Sequence, residues 1–204
     1  MSLTIIKGTI VSAPALGQLD ITPGGYLIAR DGVIQGVYPA LPEQYAGAPV
    51  EDYGDDLILQ SFADLHLHGA QYPMLGMGMD LPLLDWLNAY AFPTEARFAD
   101  TGYAREIYRR LARELVANGT TRVCMFSSLH TDATLILMEE LEKAGVTGYV
   151  GKVNMDRNAA PGVLEETTEE SKRETLRWLD ACGDFRLVKP MLTPRFTPSC
   201  TDEL

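Results

Sequence analysis

Leu57-Ile58-Leu59-Gln60-Ser61-Phe62-Ala63-Asp64-Leu65-His66-Leu67-His68-Gly69-Ala70-Gln71-Tyr72 opens as an apolar, strand-like run and closes on two histidines one residue apart. Successive side chains of a strand alternate between faces, so His66 and His68 project to the same side, where two imidazoles can share a metal ion. Leu65 and Leu67 then face the other way, toward a layer of helices behind the strand. Gly69 lets the chain turn directly after the pair, which sets the histidines at the carboxyl end of the strand, where parallel α/β proteins place their chemistry. His-x-His by itself also describes ordinary, partly buried histidines bonded to their neighbours. Position adds weight, because the chain has three histidines and two of them stand here.

Downstream, the rhythm alternates strand with helix. A helix begins at Asp100 or Thr101, carries Tyr103, Ile107, Leu111 and Leu115 at helical spacing, and stops at Asn118-Gly119. Thr121–Phe126 reads as a strand and Asp132–Ala144 as a helix; Gly148–Met155 is the next strand. Thr167 with Glu170 forms a capping box ahead of a helix carrying Leu176 and Leu179, and Phe185–Leu192 is a further strand. Strands beginning near 57, 121, 148 and 185, with helices between them, imply a parallel sheet and make half of an eight-stranded barrel. Four such strands leave open edges and an uncovered inner face, so the chain is expected to be the front half of something longer, or a half that needs a partner chain.

Upstream, residues 1–56 read as a small β domain of short strands, with Asp31-Gly32 between two apolar runs as a hairpin turn. The expected division is thus 1–56 and 57–204. Between Gly69 and Phe98, Met74, Met77 and Met79 alternate with Gly76 and Gly78, a pattern expected of irregular core filling, or else of a partner surface.

Of the 204 residues, 46% are hydrophobic and 22% charged, which is ordinary for a globular protein. A net charge of −11 argues against nucleic acid, whose phosphates call for Lys and Arg. Three cysteines without a C-x-x-C pair suit reduced thiols, and no apolar run approaches the roughly 20 residues of a membrane span, so a soluble cytoplasmic protein is expected.

Five segments in order resemble the guanine deaminase family of the amidohydrolase superfamily: Phe62-Ala63-Asp64-Leu65-His66-Leu67-His68-Gly69-Ala70-Gln71-Tyr72, then Gly78–Leu87, Phe92-Pro93-Thr94-Glu95-Ala96-Arg97-Phe98, Asn118-Gly119-Thr120-Thr121 and Thr193-Pro194-Arg195-Phe196. The resemblance implies an α/β chain forming the first half of a (β/α)8 TIM-like barrel behind a small β domain. It further implies hydrolytic deamination of guanine to xanthine and ammonia at one zinc ion, in a homodimer of the full-length form. On it, His66 and His68 become metal ligands, Gln71 touches the purine edge, Arg195 donates to the substrate carbonyl and Phe196 packs on the ring. The family also uses a third histidine ligand, a further histidine, an aspartate and a general acid/base glutamate from later strands, so the 204 residues are expected to be inactive alone.

Several rival readings accompany this one. His130 follows a strand and is a possible site residue or a solvated loop histidine. Lys152 offers a binuclear, hydantoinase-like alternative through carbamylation, or a surface or structural role. The cytidine-deaminase signature of H-x-E with P-C-x-x-C is missing from the sequence. Glu165, Glu166, Glu169 and Glu170 read as a solvated helix start. A non-catalytic half that binds a purine or another subunit is a second function class.

Overall fold

The computed structural model describes residues 2–204 and resolves into two compact units, the first ending at Gln60 and the second running Ser61–Leu204. The division falls past the expected 56/57 because Leu57 and Ile58 do not begin the histidine strand. They end a strand of the first unit, in register with Thr9 and Ile10.

That first unit is one twisted sheet of β1 (Leu3–Ala15), β2 (Gln18–Arg30), β3 (Val33–Tyr38) and β4 (Glu51–Ile58), in the order β3-β2-β1-β4. β1 and β2 are longer than the short strands expected from sequence, and pair antiparallel around a turn at Leu16-Gly17. Asp31 and Gly32 take φ of 50° and 79°, the left-handed pair that a tight hairpin turn requires. Ile5, Ile28 and Tyr45 form the small core, with Tyr26, Tyr38 and Val50 packed against it.

The second unit is built on parallel strands. After a break at Leu59–Ser61, β5 (Phe62–His68) begins the sheet. A helical connection follows, comprising a 3-10 turn at Gly69–Met74, α1 (Leu83–Trp86), a π turn at Leu87–Ala91 and α2 (Phe92–Ala96). The wide turn sits just ahead of Pro93, whose missing N–H could not serve the regular helical ladder. α3 (Thr101–Ala117) is capped by the Asp100 carboxylate, which accepts from the N–H groups of Gly102 and Tyr103. β6 (Thr120–Phe126), α4 (Thr131–Ala144), β7 (Thr147–Gly151), β8 (Val153–Asn154), α5 (Thr168–Ala181), β9 (Val188–Pro190) and β10 (Thr193–Pro194) complete the chain.

β5-β6-β7-β9 form one all-parallel sheet, with β8 and β10 paired as a short extension. This is the expected succession of β/α units, with the expected strand Gly148–Met155 divided into β7 and β8 and the expected strand Phe185–Leu192 shortened to β9. The Thr167 side chain accepts from the N–H of Glu170, one half of the expected capping box, while the Glu170 carboxylate accepts from the N–H of Glu166 rather than of Thr167; the face of α5 that enters the core carries Trp178, while Leu176 is 61% exposed. Val123, Met125, Val150 and Val188 of the sheet pack against Ile107, Leu111, Leu137 and Leu141 of the helices. Leu67 joins this core, whereas Leu65 stays exposed, because the β5–β6 register shifts between Asp64 and Leu67 and the simple alternation fails there. Of the three methionines in the connection, only Met74 is core.

Gly148 marks the tightest strand contact. Its φ is +134°, and a Cβ there would lie 1.9 Å from the Val123 carbonyl oxygen. Since backbone of a central strand cannot yield as a side-chain tip can, Gly148→Ala should lower the denaturation midpoint of the second unit by an amount equivalent to about 3 kcal/mol or more. Gly17→Ala, at φ +77° but facing open space, should cost only about 1 kcal/mol. Equal midpoints for the two variants would contradict this account of the sheet.

Candidate functional site

β5 delivers its two histidines to the carboxyl edge of the sheet, as the alternation argument requires for this pair. The imidazole centroids are 5.2 Å apart with rings near perpendicular, and both rings contact Phe126 at the end of β6, His68 stacked at 4.8 Å and His66 edge-on at 5.6 Å. His68 Nδ1 is buried with no hydrogen-bond partner. Burial, and next the neighbouring Arg195 charge, push the His68 pKa down to about 4. A neutral imidazole with a free buried nitrogen is what a metal ligand needs to be. Among the described residues no group of three or more His, Cys, Asp or Glu side chains converges on a metal position. A pair of imidazoles is one short of the three protein ligands that a catalytic zinc site carries.

Both histidines line a cleft of about 230 Å³ together with Gln71, Leu83, Trp86, Leu87, Phe126, Arg195 and Phe196. Its floor is the second hydrophobic cluster, in which Met74, Leu87, Phe92, Val153 and Met155 hold Trp86, Phe126 and Phe196. Trp86 is pinned by its indole N–H, which donates to the Met77 carbonyl at 2.9 Å.

The polar end of the cleft is organised by Glu95. This carboxylate is 1% exposed, yet no feature of the sequence reading singled it out. Arg195 donates to it through both terminal nitrogens, Nη1 to Oε2 and Nη2 to Oε1 at 2.9 Å, while Gln71 Nε2 donates to Oε1 at 2.9 Å. The Arg195 side chain is 4% exposed and lies 5.4 Å from the Phe92 ring centroid. Its backbone N–H donates to the Asn154 carbonyl, which fixes the chain where β10 ends. A lone carboxylate in the apolar run Ala91-Phe92…Ala96…Phe98 was the available signal, since such a position is sustained only by a buried partner.

Two other candidates lie elsewhere. Lys152 is 1% exposed and its ammonium donates to Glu165 at 2.5 Å and to the Val153 carbonyl at 3.1 Å. Burial pulls its pKa down against the opposing pull of Glu165. Glu165, expected in a solvated helix start, is instead its buried partner at 4% exposure. His130 lines a separate cavity of about 400 Å³, with Thr131, Glu165, Glu174 and Arg177. Its Nε2 is unpartnered and burial lowers its pKa, but it does not line the cleft of His66 and His68.

The chain is similar to guanine deaminases over most of its length. The rat guanine deaminase is 46% identical over a stretch covering 73% of this chain and 33% of the relative, and that of Dictyostelium discoideum is 36% identical over 99% and 49%. A crystal structure of guanine deaminase from C. acetobutylicum with bound guanine in its active site superposes with a TM-score of 0.91 at 41% identity, covering 99% of this chain and 48% of that one. A triazine hydrolase variant, at 14% identity and TM-score 0.80, shares the fold. The chain spans a third to a half of the length of these relatives. Residues 57–204, the whole of the strand-and-helix unit and the cleft within it, match the amidohydrolase family, and the chain belongs to that family.

Proposed function

We propose that this chain supplies the N-terminal half of a site for the hydrolytic deamination of guanine to xanthine and ammonia. The observation that carries the reading is the convergence of His66, His68 and the Gln71–Glu95–Arg195 cluster on one aromatic-walled cleft. Guanine is planar, apolar on its faces and polar at its edges. Trp86, Phe126 and Phe196 give it apolar walls. Arg195 keeps N–H donors beyond those spent on Glu95, and a guanidinium fork suits a carbonyl oxygen on a flat heterocycle. Gln71 reads the adjacent edge with its amide.

His66 and His68 would hold a zinc ion, and their residue types, shared face and the free buried Nδ1 of His68 fit that role. Such an ion would supply Lewis-acid activation of water for attack at the carbon bearing the amino group. The cleft residues of this chain contribute binding, orientation and exclusion of bulk water. The general acid/base carboxylate and the remaining metal ligands are assigned to structure outside the 204 residues. The binuclear alternative would need Lys152, whose ammonium is paired with Glu165 and does not line the cleft of His66 and His68.

As part of the same reading we place the protein in the cytoplasm, where three free cysteines persist reduced. Among the described residues, no helix is long and apolar enough to cross a membrane. A homodimer of the full-length form follows from the family resemblance alone, and size-exclusion chromatography tests it.

Zinc uptake should be saturable in chelator competition and lost in His66→Ala and in His68→Ala; uptake unchanged in both variants would remove the metal from this cleft. Arg195→Lys should weaken guanine binding about tenfold or more in equilibrium dialysis, because a point-charge ammonium cannot serve Glu95 bidentately and donate to a carbonyl as well. The 204-residue chain should bind guanine without releasing ammonia from it at enzyme-like rates, and rapid release would overturn the division of the site between two halves.

A further inference from the structure

We propose that Asp156, Arg157 and Asn158 are positioning residues that hold the turn carrying Arg195 and Phe196 at the wall of the cleft. The inference rests on the guanine reading above and extends the binding machinery to three residues that do not themselves line the cleft. Residues 155–158 and 195–201 leave the sheet side by side, because β8 and β10, which precede them, are paired in parallel. Beyond that ladder the two segments stay joined. The N–H groups of Asp156 and Arg157 both donate to the Ser199 carbonyl, at 3.1 and 3.2 Å. One oxygen of the Asp156 carboxylate accepts from the Thr201 N–H at 2.7 Å, and the other accepts from the hydroxyls of Thr201 and Thr168 at 2.5 and 2.7 Å. Thr168 opens α5, so the same carboxylate ties the turn to a helix. Arg157 Nη2 donates to the Thr197 carbonyl at 2.7 Å, and the Asn158 amide nitrogen donates to the Pro198 carbonyl at 2.8 Å. Asn158 has a φ of 52°, left-handed backbone that asparagine tolerates better than most residues.

These bonds act where the cleft has no polar anchor of its own. The Arg195 guanidinium is held by Glu95, but the Phe196 side chain has no polar atom, so its ring is placed by packing and by the backbone on either side of it. That backbone is tied to Asn154 through the Arg195 N–H, and to Asp156, Arg157 and Asn158 through residues 197–201. A turn released from residues 156–158 would carry the ring off the cleft wall while leaving His66 and His68, which stand on β5, in place. A ligand then meets a complete wall only in the fraction of molecules whose turn is clasped, and its apparent affinity falls by that fraction.

Equilibrium dialysis of the 204-residue chain with labelled guanine, run beside chelator competition for zinc, separates positioning from general scaffolding. Asp156→Ala removes the acceptor of three hydrogen bonds and should weaken guanine binding about tenfold, with zinc affinity within about twofold of the wild type. In a Phe196→Leu background, where the aromatic ring is already gone, the same change should cost guanine a clearly smaller factor. Three results overturn the proposal and leave the guanine reading intact: guanine affinity unchanged in Asp156→Ala, guanine and zinc affinities falling together, or an equal factor in both backgrounds. A wild type that binds no guanine overturns that reading and this inference with it. Should Asp156→Ala not fold, Asn158→Asp decides the matter. Asn158 is exposed, and the change sets an acceptor against the Pro198 carbonyl in place of a donor. Guanine affinity should fall about threefold or more with zinc affinity unchanged, and an unaltered guanine affinity overturns the proposal.

Discussion

The second unit depends on one buried ion pair, between residues one hundred positions apart in the chain. The side chains of Glu95 and Arg195 are only 1% and 4% exposed, and a charge in that setting is tolerated only when its partner and its hydrogen bonds are in place. Removing one partner of such a pair costs about 3–5 kcal/mol, because the other is left buried and uncompensated. The pair ties α2 to the turn after β10, and Gln71 joins from the 3-10 turn that directly follows the histidine strand. Three segments that are distant in sequence are thereby fixed at one mouth of the sheet. The cost of holding two ions in an apolar interior is met by geometry, with both oxygens of the carboxylate and both terminal nitrogens of the guanidinium engaged.

Much of the fold was legible in the sequence. Helix caps at Asp100 and Thr167, the stop at Asn118-Gly119 and the alternation of strands with helices all express local chemistry, and each was found where that chemistry put it. Legibility failed where a long-range contact outvoted the local pattern. Leu57 and Ile58 look continuous with the histidine strand but pair with Thr9 and Ile10. Leu65 looks buried by alternation, and a shift in register turns it to solvent. Glu165 looks like one more acid at a helix start until Lys152 is seen behind it.

The site followed the same rule. His66 and His68 were visible because strand periodicity is local, and Gln71, Arg195 and Phe196 entered through family resemblance; all of them line one cleft. Glu95 was missed because nothing within its own helix explains it. Its partners lie 24 positions before it and one hundred after it, and only the folded chain brings them together. Lys152 shows the converse. A lysine in a barrel strand invites a chemical role, and the fold sets a buried carboxylate against that same residue, away from the histidine cleft.

The two tryptophans divide the molecule in a useful way. Trp178 is sealed in the core beneath the sheet, while Trp86 stands at the wall of the cleft with its indole tethered to the Met77 carbonyl. One chromophore is blind to anything that enters the cleft and the other is exposed to it. The protein thus carries a reporter and an internal standard, with emission from Trp86 tracking events at the cleft wall and emission from Trp178 registering only the integrity of the helix-backed core.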